Sequence, residues 1–227
     1  MVISIIIEGG VLPNDNISAA TMNNVESLRQ SLHRIFEKVL SDQEDISIVI
    51  NPQAGYKQAV KKYLMAGEDS FLFVDLDMPK TKKQQWFDNL ANEPIKPISI
   101  PTEKKDNIFF MIQEMEAWIL KQPDAIYRWA TEYNNYLTKR TDKIEDHTML
   151  RNRDVEDIAK PSTVLEKLIT TFFEKNIQGR KTEKKRLGKV QYTKLKEGAE
   201  LLDYLNVALL LAQDEELQRF RNTIITQ

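Results

Sequence analysis

The residues of this sequence best suited to chemistry are acids at the ends of β-rich runs. Glu8 closes the apolar run 2–7 and is followed at once by Gly9 and Gly10. Asp75 and Asp77 close another such run in Val74-Asp75-Leu76-Asp77-Met78-Pro79. Ligands of open parallel α/β sheets gather at the carboxyl ends of the strands. In extended chain, residues two apart point the same way, so both aspartates are placed to face one ion. Carboxylate oxygens are hard donors that favour magnesium or manganese over zinc. Three acids at one sheet edge repel one another unless a cation sits between them. The glycine pair favours a ligand here, because backbone without Cβ permits close approach. The plainer alternative makes Glu8 a surface acid and the two aspartates a turn before Pro79.

A fourth acid emerges from helical geometry in Gln113-Glu114-Met115-Glu116-Ala117-Trp118-Ile119-Leu120. At about 100° per residue, Ile112, Met115 and Ile119 share a face, and Glu116 falls inside that apolar stripe. Glu114 falls on the opposite, solvent side. A glutamate on a buried face is costly unless it is paired or ligates a metal. Glu116 is therefore the expected active-site acid and Glu114 a surface residue, with a structural ion pair as the alternative for Glu116.

Other chemistries are excluded or weakened by composition. The 227 residues contain no cysteine, hence no disulfide, thiolate nucleophile or cysteine zinc site, and only two histidines, His33 and His147. Neither histidine has a partner at ligand spacing. There is no Walker A loop and no Gly-x-Gly-x-x-Gly, which argues against an ATPase and against a dinucleotide cofactor. With 41% apolar residues the chain can bury a core. The net charge of −2 gives no global attraction to nucleic acid, so any such binding needs a local basic surface. Residues 175–196 are the one such segment, with nine lysines and arginines against the single acid Glu183. Charge runs of this kind are most often solvated surface. The absence of cysteine, of a basic leader and of any apolar run near the ~20 residues of a membrane span points to a soluble, cytoplasmic protein.

The elements that must position these acids alternate in the first half. Runs at 2–7, 46–50 and 71–74 read as strands, 98–100 as a fourth strand between two prolines, and 107–111 as a fifth at a sheet edge. Helical periods run through Val25, Leu28, Leu32, Ile35, Phe36 and Val39, with Asn16 and Ser18 both candidate caps. Further helices are marked by Tyr56, Ala59, Val60, Tyr63 and Leu64, and by Trp86, Phe87 and Leu90. This order predicts an α/β fold, an open, mainly parallel sheet of about four or five strands flanked by helices. From Ile112 onward the periods are helical with no convincing strand. Thr163 and Glu166 read as a capping box for a helix through Phe173. Two last helical patterns span 201–211 and 217–224. The expected division is an α/β core at 1–121 and a C-terminal all-helical extension at 122–227. Trp86, Trp118 and Trp129 read as core packing, with a partner surface as the alternative for Trp129.

In their order along the chain, these motifs resemble a TOPRIM (topoisomerase–primase) domain, which has a glutamate after its first strand and Asp-x-Asp after a later one. Glu8-Gly9 and Asp75-Leu76-Asp77 carry that resemblance. More closely, the chain is similar to a bacterial TOPRIM-like family, domain-of-unknown-function family 4276. Here Met111-Ile112-Gln113-Glu114-Met115-Glu116-Ala117-Trp118 matches its helix motif. Gln191-Tyr192-Thr193-Lys194 with Gly198 matches its basic, tyrosine-and-lysine segment. One departure is that Val11-Leu12-Pro13-Asn14-Asp15-Asn16 replaces the family's Gly-x-x-Asp, with Asp15 an approximate match, which leaves one metal or two open.

The resemblance implies a Mg2+ (or Mn2+) dependent nuclease, distantly similar to the overcoming-lysogenization-defect nucleases. Such enzymes are often partnered by an ABC-type ATPase in defence against phage. Glu8, Asp75, Asp77 and Glu116 would hold metal, and DNA rather than RNA would be the substrate. Arg180, Lys181, Lys184, Lys185, Arg186, Lys189, Lys194 and Lys196 would track the nucleic-acid backbone. Lys194 would contact the transition-state phosphate, with Tyr192 stacking on or hydrogen-bonding to the nucleic acid beside it. Two other functions remain open. One is a catalytically degenerate subunit docking on an ATPase through the apolar faces of 201–211 and 217–224. The other is a small-nucleotide phosphohydrolase.

Overall fold

The structure, a computed structural model, describes residues 1–10, 18–43, 45–175 and 189–226. Strands β1 (Val2–Glu8), β2 (Ser47–Gln53), β3 (Ser70–Asp75) and β4 (Ile108–Met111) form one sheet in the order β2-β1-β3-β4, with every pairing parallel. Helices α1 (Ala19–Val39), α2 (Tyr56–Leu64) and α3 (Lys83–Ala91), with the short α4 (Thr102–Lys105), connect them. The run at 98–100 is not a strand. Its flanking Pro97 and Pro101 restrict the chain and supply no ladder donors, and Ile98 and Ile100 instead pack as side chains under α2 and α3. The fourth strand is the run ending at Met111, which does lie at an edge.

Alternation along the strands decides what covers each face. Ile3, Ile5, Ile7, Phe71, Phe73, Phe109 and Met111 join the core under α1, whereas Ile6, Leu72, Val74, Ile108 and Phe110 join the core under α2 and α3. The Ser18 hydroxyl starts α1 by accepting the Thr21 amide at 3.1 Å, while Asn16 lies outside the described residues. A chain that runs from β1 out to β2 and then back across β1 to β3 must cross on opposite faces to keep both connections right-handed. The gap between the carboxyl ends of β1 and β3 is thus the place where the connections part.

The second half covers the α1 face. It comprises α5 (Glu116–Leu120), α6 (Pro123–Arg128), β5 (Leu137–Thr138), α7 (Pro161–Phe172), β6 (Phe173–Glu174), α8 (Ala199–Leu202), α9 (Val207–Gln213) and α10 (Glu215–Ile225). Four features differ from the sequence reading. β5 and β6 form a small antiparallel pair where no strand is expected. α7 begins at Pro161 behind a left-handed Lys160, so Thr163 lies inside the helix and caps nothing. The 201–211 run breaks because the Asn206 side chain accepts the Leu209 amide at 3.1 Å and starts α9. Finally, Leu201, Leu202, Leu205, Leu210, Leu217, Phe220 and Ile224 are buried in the α1-side core, so the two apolar tail faces are already covered by this chain. Trp129 is also fully buried, its indole donating to Glu200 at 2.9 Å.

α10 closes the β4 side of the sheet. Glu216 accepts the Phe110 amide at 3.0 Å, and Arg219 donates to the Asp106 carbonyl at 2.7 Å and to the Ile108 carbonyl. The Arg219 guanidinium lies 4.0 Å from the centre of the Phe109 ring. Phe220 inserts edge-on among Phe36, Phe71, Phe73 and Phe109, with ring centres 5.2–5.5 Å apart. Among the described residues, no helix is long and apolar enough to cross a membrane. Phe220→Ala removes the ring on which four others converge, and is expected to cost about 3–5 kcal/mol. Urea unfolding monitored by tryptophan fluorescence measures this, and a loss under about 1 kcal/mol would mean the tail is not integral to the core.

Candidate active site

Asp75 ends β3 on the face shared by Phe71 and Phe73, turned toward the second half of the chain. Both of its oxygens are engaged. Oδ1 accepts the Met115 amide at 3.0 Å, and Oδ2 accepts the Lys194 ammonium. The same ammonium lies 3.9 Å from Glu116 Oε2. Glu116 is 0% exposed. Its other oxygen, Oε1, accepts the Tyr192 hydroxyl at 2.8 Å. The sequence reading of Glu116 as a buried acid therefore holds. Its stated geometry does not, because the helix begins only at Glu116 and Gln113 is left-handed at φ 63°. Glu114 is half-buried rather than solvated, and accepts the Ser162 amide in the first turn of α7 at 2.8 Å.

Asp77 also departs from the extended-chain expectation. β3 stops at Asp75, and Asp77 turns left-handed at φ 54° while its amide donates to the Gln113 carbonyl at 2.7 Å. It is exposed at the rim of the cluster of Glu8, Asp75, Glu116 and Lys194, near enough for its charge to act on Glu8. The glycine pair after Glu8 serves packing within the fold. The amides of Gly9 and Gly10 both donate to the Gln53 carbonyl, at 3.1 and 2.8 Å. A Cβ on Gly10 would stand 2.9 Å from the β2 backbone.

Lys194 and Tyr192 arrive on one short segment. Val190 anchors it in the core, and Lys194 opens a single wide helical turn, Lys194–Gly198, closed by the Gly198 amide on the Thr193 carbonyl at 3.0 Å. A Cβ on Gly198 would lie 2.9 Å from the Tyr192 hydroxyl, so a glycine is what lets that hydroxyl reach Glu116. Lys189 is exposed, and Lys196 is exposed with a 3.4 Å contact to Glu197. Asp15, Arg180, Lys181, Lys184, Lys185 and Arg186 lie outside the described residues.

The electrostatics follow from one lysine among four acids. Burial, then the negative charge of Asp75, pushes the Glu8 carboxyl up to about 7, against the opposing pull of Lys194. Burial likewise raises Glu116, opposed by Lys194 and reinforced by Asp75. Asp77 is raised by partial enclosure and by Asp75 and Glu114, with Lys160 and Lys194 opposing. Burial alone would loosen the Lys194 proton, yet Asp75, Glu116 and Glu8 hold it above the ordinary lysine value.

Two buried carboxylate oxygens, Glu8 Oε2 and Glu116 Oε2, have no hydrogen-bond partner among the described residues. Orphaned hard oxygens in a cluster with surplus negative charge fit a divalent cation such as Mg2+. Among the described residues no three carboxylate or histidine groups already stand as a ligand cage. The Lys194 ammonium lies between Asp75 and Glu116 instead.

Composition and motif spacing miss several contributors. The Met115 amide depends on the left-handed turn at Gln113, which no residue type announces. Lys160, also left-handed at φ 60°, places its charge near Asp77 through a loop of irregular sequence. No family model, no curated protein and no solved structure matches this chain.

The Glu8 value gives a pH signature. Between 4.5 and about 7 the folded chain keeps a proton that the unfolded chain has released, so stability falls as pH rises through that window. Urea midpoints are expected to drop from about pH 5 to about pH 8 in the wild type, and to drop less in Glu8→Gln. Equal pH dependence in both proteins would assign the titration to another group.

Proposed function

We propose that this chain is a magnesium- or manganese-dependent phosphodiester hydrolase acting on nucleic acid. The observation that carries this reading is the cluster at the parting of β1 and β3. There Glu8, Asp75 and Glu116 surround one lysine, and two of their buried oxygens are unpartnered among the described residues. Glu8, Asp75 and Glu116, with Asp77 at the rim, would hold the cation. Such an ion supplies charge stabilisation at the phosphoryl oxygens and an acidified water nucleophile near neutral pH.

The remaining roles belong to the protein. The Tyr192 hydroxyl fixes the orientation of Glu116. Lys194 Nζ is the donor for a non-bridging phosphate oxygen, a point charge suited to the negative charge that grows there. Lys189 and Lys196 flank it, and with Arg180, Lys181, Lys184, Lys185 and Arg186 would follow the backbone of a DNA strand. The family resemblance extends this reading to a defence effector working with an ABC-type ATPase. Most apolar residues of the two tail helices pack within this chain, which favours the hydrolase reading over docking through those faces.

The test is calorimetric titration of Mg2+ and Mn2+ into wild type and Asp75→Asn, with cleavage of single- and double-stranded DNA and RNA followed in the same samples. Binding by the wild type, lost in a folded Asp75→Asn together with cleavage by about a hundredfold or more, is the expected result. No binding by the wild type would overturn the metal reading. Binding with turnover of nucleotides but not of polymer would move the substrate to small nucleotides.

A further inference from the structure

Each Asp75 oxygen already accepts one donor, and the donor on Oδ2 is itself a cation, whose charge a divalent metal at the same place would repel. Oδ1 is held by the Met115 backbone amide, itself fixed by the turn at Gln113. Oδ2 is held by the Lys194 ammonium, at the end of a flexible four-carbon stem whose side chain is 31% exposed. Of these two donors the lysine is the charged and mobile one, whereas withdrawing the amide would orphan a buried backbone group. Among the described residues, the cation beside the unpartnered Glu116 Oε2 is that same ammonium, at 3.9 Å.

Resting on the metal reading above, we propose that Lys194 is a tethered counter-ion, occupying the cation position between Asp75 and Glu116 until a divalent metal displaces it. Displacement leaves the wide turn Lys194–Gly198 in place and swings only the lysine stem outward. Tyr192 keeps its hold on Glu116 because its hydroxyl is confined beside Gly198. The freed ammonium then faces the mouth of the site and becomes available to a phosphate. Metal and nucleic acid are thereby coupled: each strengthens binding of the other, by the same factor. The exchange is one of position alone, and no covalent bond is made or broken.

The experiment uses the wild-type full chain. Acylation of Lys194 by an amine-reactive ester is followed by mass spectrometry, with and without Mg2+, beside calorimetry of the same samples. Lys194 held by Asp75 is expected to be protected without metal and to react several-fold faster with it. The exposed Lys189 and Lys196 serve as controls in the same digest, and their reactivity is expected to stay constant. Lys194→Met is expected to bind Mg2+ about tenfold or more tightly than wild type. It is also expected to lose the metal's effect on affinity for a fluorescent DNA oligonucleotide, measured with Ca2+ in place of Mg2+ to withhold cleavage. Lys194→Gln, which keeps a donor to Asp75, serves if the methionine variant does not fold. Calorimetric Mg2+ binding with unchanged Lys194 reactivity, or weaker metal binding in a folded Lys194 variant, would overturn the exchange while leaving the metal site standing. Absence of Mg2+ binding in the wild type would overturn both.

Discussion

A parallel sheet whose chain steps first one way and then back across its own first strand must send its connections over opposite faces. That constraint organises this molecule. It puts α1 on one side and α2 and α3 on the other, and it leaves the carboxyl ends of β1 and β3 side by side where the two connections diverge. Glu8 and Asp75 stand at those two ends. The second half of the chain then packs on the α1 face, which is the face toward which Asp75 points, and so Glu116, Tyr192 and Lys194 arrive from distant sequence at one place.

The cluster is held in an electrostatically unbalanced state. One ammonium is shared between Asp75 and Glu116, and burial makes Glu116 and Glu8 reluctant to ionise, with Glu8 holding its proton to about 7. A closed structural ion pair would satisfy its members, as Glu216 is satisfied by Lys83, Arg219 and the Phe110 amide. The contrast between these two buried acidic groups in one protein separates a stabilising arrangement from one that leaves orphaned oxygens.

What was legible in the sequence was what periodicity and residue type encode locally. The apolar runs ending in Glu8 and Asp75 mark β1 and β3, and Glu116 is buried as expected, though by a short helix that starts at it and not by the longer stripe through Ile112 and Met115. The strand expected at 98–100 failed because a short β-rich run between prolines has no ladder to join. The extended backbone expected through Asp77 stops at Asp75, because Asp77 is left-handed, and an aspartate accepts that conformation without advertising it. The tail faces were correctly apolar, but periodicity does not say whether such a face meets another protein or this one. The association of Lys194 with Asp75 joins residues 119 apart in sequence, a distance at which only the folded chain decides.

The contacts made by α10 on β4 carry a consequence for the molecule's behaviour in company. β4 is the last strand on its side, and an uncovered last strand is a template on which another chain can add its own strand. Glu216 takes the Phe110 amide, and Arg219 takes the carbonyls of Asp106 and Ile108, so the groups a newcomer would need are spoken for by two side chains of the same polypeptide. α10 thus does for the β4 edge what a neighbouring strand would do, filling its outward backbone bonds with side chains instead of a ladder.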